Sequence, residues 1–150
     1  MNTEDRQESV FGAFDGSVSI VGLVFGLLLH HSTHAAIAAG GFGAAISAAL
    51  SMSAGEVVKS GAAIRSRLLV ASAMLSSTLI GSLLLVWPFA VPSFSTGSDL
   101  ALAALGAILV AVWIAVEKGG TLRSWVETFG ILFGVAGLTL LLTWCLPQTF

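Results

Sequence analysis

The sequence predicts an all-α membrane protein with five transmembrane helices, and three observations lead to this prediction. Of the 150 residues, 56% are hydrophobic and only 9% are charged, and the mean hydropathy is +0.97. One small water-soluble core could not bury that much apolar surface. The apolar residues also fall into five runs close to the roughly 20 residues that a helix needs to cross a bilayer. We therefore expect a single transmembrane domain covering residues 1–150.

The five predicted spans are separated by short polar or proline-containing segments. They cover residues 10–29, 35–58, 68–87, 100–116 and 125–146. The prolines, at positions 88, 92 and 147, stand at or beyond the ends of spans, where a helix tolerates them. The first ten residues, MNTEDRQESV, are polar and acidic, unlike the basic start of a secretory signal, so we expect the first span to remain in the mature protein.

The basic residues predict the orientation of the spans, because Lys and Arg accumulate in cytoplasmic loops. All of them flank the same ends of the predicted spans, namely Arg6, Lys59, Arg65, Arg67, Lys118 and Arg123. This places the N-terminus in the cytosol and the C-terminus outside. They form no basic run and the net charge is -2, which argues against a nucleic-acid partner. Since five spans cannot divide into two equal halves, a symmetric pore would need a homodimer.

Glycines spaced four residues apart predict close approaches between helices. The pairs are Gly12 and Gly16, Gly22 and Gly26, and Gly130 and Gly134. Such spacing lets backbones approach closely in lipid. The contacts could lie within the chain or between subunits.

Three polar or sulfur-containing side chains fall inside the first two spans, toward their cytosolic ends. Counted from the turn near Ser32, Asp15 lies roughly 25 Å down, Met52 roughly 30 Å and Glu56 roughly 36 Å. Met52 and Glu56 share a helical face because they are four residues apart. Carboxylate and thioether together favour a borderline ion such as Fe²⁺, with Mn²⁺, Co²⁺ or Zn²⁺ also possible, over Mg²⁺ or Ca²⁺. We therefore predict metal binding by Asp15, Met52 and Glu56.

Each of these residues also has a simpler interpretation. Glu56 could pair with Lys59 or Arg65 at the membrane interface. Met52 could merely fill a gap, and Asp15 could stabilise the N-terminal part of its helix. His30, His31 and His34 form a cluster at the far end, where imidazoles could pass on a departing metal, sense pH or simply lie in an exposed loop.

Two motifs resemble the vacuolar iron transporter family, namely DGSVSIVGLVFGL in the first span and ALSMSAGEVVKS in the second. The resemblance implies five transmembrane helices, a homodimer with its metal path at the two-fold axis, and export of Fe²⁺ or Mn²⁺ from the cytosol in exchange for protons. It also assigns Asp15, Met52 and Glu56 to that path. About nine residues, 59–67, replace the long Glu-rich cytosolic segment of the best-described members, as in the nodulin-like branch.

From the residues and the resemblance together we expect a proton-coupled metal transporter that has no resident cofactor and is not an enzyme, since no Ser–His pair or HExxH motif falls within a span. Its expected partners are divalent metal ions, protons, the lipid bilayer and a second copy. We expect a bacterial inner membrane, with a vacuolar membrane as the alternative. Two other functions remain open: a non-transporting membrane subunit, and a small proton-coupled exporter of organic cations.

Overall fold

The computed structural model describes the backbone of residues 3–59, 64–93 and 95–145, and their side chains from Gln7 onward. This part of the chain is helical and contains no strand. The long helices are α1 (Thr3–Leu29), α2 (His34–Val58), α3 (Ile64–Val86), α4 (Thr96–Glu117) and α5 (Leu122–Cys145), and a short 3₁₀ helix, Trp87–Ala90, follows α3. All five are long and apolar enough to cross a membrane. The predicted all-α class and the five apolar helices of membrane-spanning length are confirmed.

The helices begin earlier than the apolar runs that predicted them. α1 begins at Thr3 rather than at residue 10, α3 at Ile64 rather than 68, and α4 at Thr96 rather than 100. The hydrophobic pattern marks only the part of a helix that contacts lipid, whereas helical hydrogen bonding continues through polar residues. Trp87 belongs to the 3₁₀ helix, and the predicted end of the fifth span at residue 146 lies outside the described residues.

The connection between α1 and α2 is a tight turn. The backbone N–H groups of His31 and Ser32 donate to the carbonyl oxygens of Leu28 and Leu27, and His31 adopts a left-handed conformation with φ of 54°. These two bonds satisfy carbonyls at the end of α1. Thr33 then caps α2, because its hydroxyl accepts a hydrogen bond from the N–H of Ala36 at 3.2 Å. The chain therefore reverses within four residues, and α2 runs antiparallel to α1.

Helix α3 makes the most extensive contacts of the bundle, with both α1 and α2. A Cβ on Gly16 would lie 2.6 Å from the carbonyl oxygen of Thr78, and a Cβ on Gly81 would lie 2.5 Å from that of Ala13. Only glycine allows the two backbones to come this close. The predicted close approach at Gly12 and Gly16 is thus found, and it joins α1 to α3 within the chain.

The basic residues among the described side chains gather at one end of the bundle. There Lys59 lies beside Glu8, the guanidinium of Arg67 donates to the carbonyl of Val57 at 2.9 Å, and Lys118 pairs with Glu127 at 3.2 Å. We call this the basic end; it holds the described basic side chains Lys59, Arg65, Arg67, Lys118 and Arg123. The opposite end contains the α1–α2 turn, the 3₁₀ helix and the first turn of α4.

Candidate functional site

Two contacts fix the register between α1 and α2. Near the basic end, Lys59 Nζ lies 3.4 Å from Glu8 Oε1. Asp15 follows Glu8 by seven residues and Met52 precedes Lys59 by seven, so both lie about 10 Å further into the bundle. Near the opposite end, Leu27 Cδ1 lies 3.5 Å from the position that a Cβ on Gly40 would take. Leu27 and Gly40 are equally far from the middle of the α1–α2 turn, as are Glu8 and Lys59, so both contacts indicate the same register. Asp15 and Met52 therefore lie at a similar depth, to within roughly one helical turn, and no hydrogen bond or ion pair joins their described side chains.

This register changes the relative depths expected from the sequence. Counting from Ser32 placed Met52 about 5 Å deeper than Asp15. The observed contacts instead place the midpoint of the turn between α1 and α2 between residues 33 and 34, because the turn after α1 continues to the cap at Thr33. The predicted ladder becomes a pair at a similar depth, with Glu56 one turn nearer the basic end.

Met52 lies against α3, where a hydroxyl contacts its sulfur. The Oγ1 of Thr78, which is fully buried, donates to Met52 Sδ at 3.5 Å. Thr78 Oγ1 would also lie 2.8 Å from a Cβ on Gly12, so this hydroxyl stands at the meeting point of α1, α2 and α3. A thioether is a weak acceptor that can still offer a second lone pair to a soft or borderline cation. Thr78 was not expected from the sequence, and a buried threonine alone gives no signal of such a contact.

Asp15 lies on a partly open face of α1. Its side chain is partly exposed, and no hydrogen-bond or ion-pair partner for it occurs within residues 7–59, 64–93 and 95–145. Phe11 and Ser19, four residues to either side on the same helical face, are exposed. Glu8, two turns earlier on this face, reaches Lys59 of α2. The carboxylate of Asp15 is thus available for a partner beyond this chain's described side chains.

Glu56 is buried and forms an ion pair with Lys59, three residues later. The interaction of Lys59 with the Glu56 carboxylate is the main cause that raises the pKa of Lys59 above its ordinary value, while burial opposes it. The second carboxylate, Glu8, adds to the same effect. The arrangement matches the simpler interpretation of Glu56 as the partner of Lys59. To bind a metal, Glu56 would first have to release that lysine.

The three predicted ligands therefore differ in their surroundings. Asp15 and Met52 lie at a similar depth and are free of ion pairs, whereas Glu56 is neutralised by a lysine. In the part of the chain that the structure describes, no three or more His, Cys, Asp or Glu side chains group to hold a metal ion. A complete coordination shell at Asp15 and Met52 would require water or the same residues of a second copy.

A second polar site lies at the opposite end and joins α2 to α4. His34 Nδ1 lies 3.3 Å from Asp99 Oδ2, and His34 Nε2 lies 2.9 Å from Thr96 Oγ1. Asp99 has no exposed surface, whereas about a third of the His34 side chain is exposed. His30 and His31 are exposed in the turn, so the predicted histidine cluster separates into two loop residues and one paired residue. The sequence prediction missed Asp99 because it began the fourth span at residue 100; Ser95, which caps α4, was the available signal.

Comparison of this chain with models of protein families, with curated proteins and with solved structures gives no match.

Proposed function

We propose that this protein is a divalent transition-metal transporter that moves Fe²⁺ or Mn²⁺ from the cytosol across the membrane in exchange for protons. The observation that carries the proposal is the similar depth of Asp15 and Met52, one carboxylate and one thioether on the neighbouring helices α1 and α2 near the basic end. This donor set suits a borderline cation better than Mg²⁺ or Ca²⁺. We also propose membership of the vacuolar iron transporter family, on the two motifs that contain these residues.

The exposure of Asp15 supports a homodimer. A carboxylate that faces hydrocarbon costs on the order of 3 kcal/mol or more. Asp15 shares its partly open face of α1 with the exposed Phe11 and Ser19. A second copy packed against this face would remove all three from lipid and bring two Asp15 carboxylates together about a two-fold axis. The metal path would then lie between the subunits, with Met52 at its wall.

The basic end supports the orientation in the membrane on which the proposed direction of transport depends. Positive residues mark the cytosolic side of membrane proteins, so Glu8, Glu56 and Lys59 would stand at the cytosolic mouth. An incoming cation could displace Lys59 from Glu56, which gives the buried carboxylate a role at the entrance. A carboxylate that gives up a metal can take up a proton, which links metal release to proton transfer.

The Glu56–Lys59 ion pair also favours a second candidate function, a non-transporting membrane subunit in which the carboxylates only stabilise the helix bundle. In that case Asp15 and Met52 would have no effect on metal movement. Reconstitution distinguishes the two functions.

The experiment measures metal flux into proteoliposomes that contain a metal-quenched dye, at a defined pH gradient. Loss of a residue that only supports a metal ligand already weakens metal binding by about tenfold. Asp15→Asn and Met52→Leu remove the proposed ligands themselves, so each should reduce Fe²⁺ or Mn²⁺ flux by about tenfold or more. Met74→Leu is a matched control, because Met74 is a buried methionine of α3 outside the proposed path. Flux that is absent from the wild type, or unchanged in both path variants, would reject transport through this site.

A further inference from the structure

We propose that His34 and Asp99 form a second binding site for a divalent transition-metal ion, at the opposite end of α2 from Met52. The site joins the first turn of α2 to the first turn of α4. Binding at this pair requires no transport, so the inference goes beyond the proposed function. Only the role discussed below, release of the transported ion, depends on that function.

The first argument is the charge of Asp99. Its side chain is fully buried, and neither carboxylate oxygen has a hydrogen-bond partner among the described residues. A buried carboxylate is unfavourable unless a cation or hydrogen-bond donors compensate it. The 3₁₀ helix and the described first turns of α2 and α4 offer no ionisable side chain besides His34 and Asp99. A cation at or beside His34 would compensate this carboxylate, which lacks a donor among the described residues.

The second argument is the geometry of the imidazole. His34 Nδ1 lies 3.3 Å from Asp99 Oδ2, yet this contact is not a hydrogen bond, because both Asp99 oxygens remain without a donor. Two ligand atoms bound tetrahedrally to one ion at 2.0–2.1 Å are about 3.3–3.4 Å apart. The observed separation therefore fits two ligands that share a metal.

The third argument is the hydrogen bond on the other side of the ring. His34 Nε2 lies 2.9 Å from Thr96 Oγ1. When Nε2–H donates to that hydroxyl, Nδ1 keeps its lone pair on the side of Asp99. A metal-binding histidine ordinarily donates its second ring nitrogen to a fixed oxygen in this way. The His34 ring also makes an edge-to-face contact with the ring of Phe89, with centroids 6.2 Å apart, and this contact further fixes the imidazole.

The donor types define the class of ligand. An imidazole nitrogen with a carboxylate suits Mn²⁺, Fe²⁺, Co²⁺ or Zn²⁺, whereas Mg²⁺ and Ca²⁺ prefer oxygen alone. The partial exposure of His34 lets water complete the coordination. A site with two protein ligands binds weakly, which suits a position from which an ion must leave. His34 stands roughly 27 Å along α2 from Met52, so in the transporter it would be the release site.

The test is direct binding of Mn²⁺ to the full-length protein in lipid nanodiscs, with unbound Mn²⁺ measured by electron paramagnetic resonance. His34→Gln and Asp99→Asn should each weaken one binding event by on the order of tenfold or more. A His30→Gln/His31→Gln double variant is the matched control, because these two histidines are exposed in the preceding turn. The control should bind as the wild type does, and excess Mg²⁺ should not compete.

A measurement on protein with native His34 and Asp99 guards against variants that fail to fold. In the double control variant His34 is the remaining histidine, and Mn²⁺ should broaden its ring resonances in nuclear magnetic resonance spectra. Unbroadened resonances would show that His34 and Asp99 form only an ion pair. Mn²⁺ binding by folded His34→Gln and Asp99→Asn that equals binding by the wild type would show the same. Met52→Leu separates the two proposals, because it should reduce metal flux by about tenfold or more yet leave Mn²⁺ binding at His34 and Asp99 intact. Absence of transport by the wild type would likewise leave the His34 result unchanged.

Discussion

Thr78 donates its hydroxyl to the sulfur of Met52, across 3.5 Å, at the point where α1, α2 and α3 meet. This contact links a side chain of the predicted metal path to a helix that the sequence did not connect with it. Because Thr78 is fully buried, its hydroxyl has a fixed position and can hold one rotamer of Met52. We infer that α3 orients the thioether that α2 supplies.

The first prediction concerns this orientation. Thr78→Val keeps the shape of the side chain but removes the donor, so Met52 should gain rotamer freedom and the preference for Fe²⁺ over Mg²⁺ should fall. A hydrogen bond contributes about 1 kcal/mol net, so its loss should lower the Fe²⁺ to Mg²⁺ preference by roughly fivefold at most. The flux ratio of the two ions in proteoliposomes measures it. Thr128→Val is the matched control, because Thr128 is buried in α5 and its Oγ1 has no partner among the described residues. A ratio equally changed in both variants would contradict the role of Thr78.

The second prediction concerns the homodimer. In a Cys145→Ser background, Ser19→Cys should form a disulfide between subunits under mild oxidation, since Ser19 lies on the exposed face of α1 that contains Asp15. Ser76→Cys should not cross-link, because Ser76 is exposed on α3, a different helix. Gel electrophoresis without reductant compares the two. Preferential cross-linking of Ser76→Cys would place the subunit contact elsewhere.

The third prediction concerns the close packing of α1 and α3. A Cβ on Gly81 would lie 2.5 Å from the carbonyl oxygen of Ala13, so Gly81→Ala must force two backbones apart. Overpacking of this kind destabilises by about 1–3 kcal/mol. The unfolding midpoint in detergent should therefore fall.

Gly43→Ala is the control for this measurement. Nothing lies within 4 Å of a Cβ at Gly43, and alanine favours a helix interior, so its midpoint should stay constant or rise slightly. An equal fall in both variants would show that the loss reflects glycine replacement in general and not the α1–α3 contact.

The fourth prediction concerns pH and the Glu56–Lys59 pair. Because the pKa of Lys59 is raised above 10.5, the pair contributes its stability below pH 10.5 and loses it as the pH rises through the raised value. Lys59→Gln should lower the unfolding midpoint at neutral pH, and its difference from the wild type should shrink above pH 10.5. Lys118→Gln should have a smaller effect, since Glu127 is far more exposed than Glu56. A difference that stays constant to higher pH would contradict the assignment.

The sequence by itself determined the class of protein and the number of helices. Five apolar runs of bilayer length can only be helices in lipid, because every backbone polar group there must be satisfied within the chain. The grouping of basic residues at one end followed from their positions between those runs. The beginnings of helices were less well predicted, as with Thr3 in α1 and Thr96 in α4, because polar first turns resemble loops in a hydropathy pattern.

Only the tertiary structure decided which side chains meet. Helical spacing put Met52 and Glu56 on one face, and the local spacing of Glu56 and Lys59 already offered their ion pair, but it could not show that Thr78 of α3 contacts Met52. Nor could it bring His34 of α2 to Asp99 of α4, residues that are 65 positions apart in sequence. The physical reason is that periodicity describes one helix at a time, whereas rotation and register between helices depend on packing, here on glycines that let α3 approach α1.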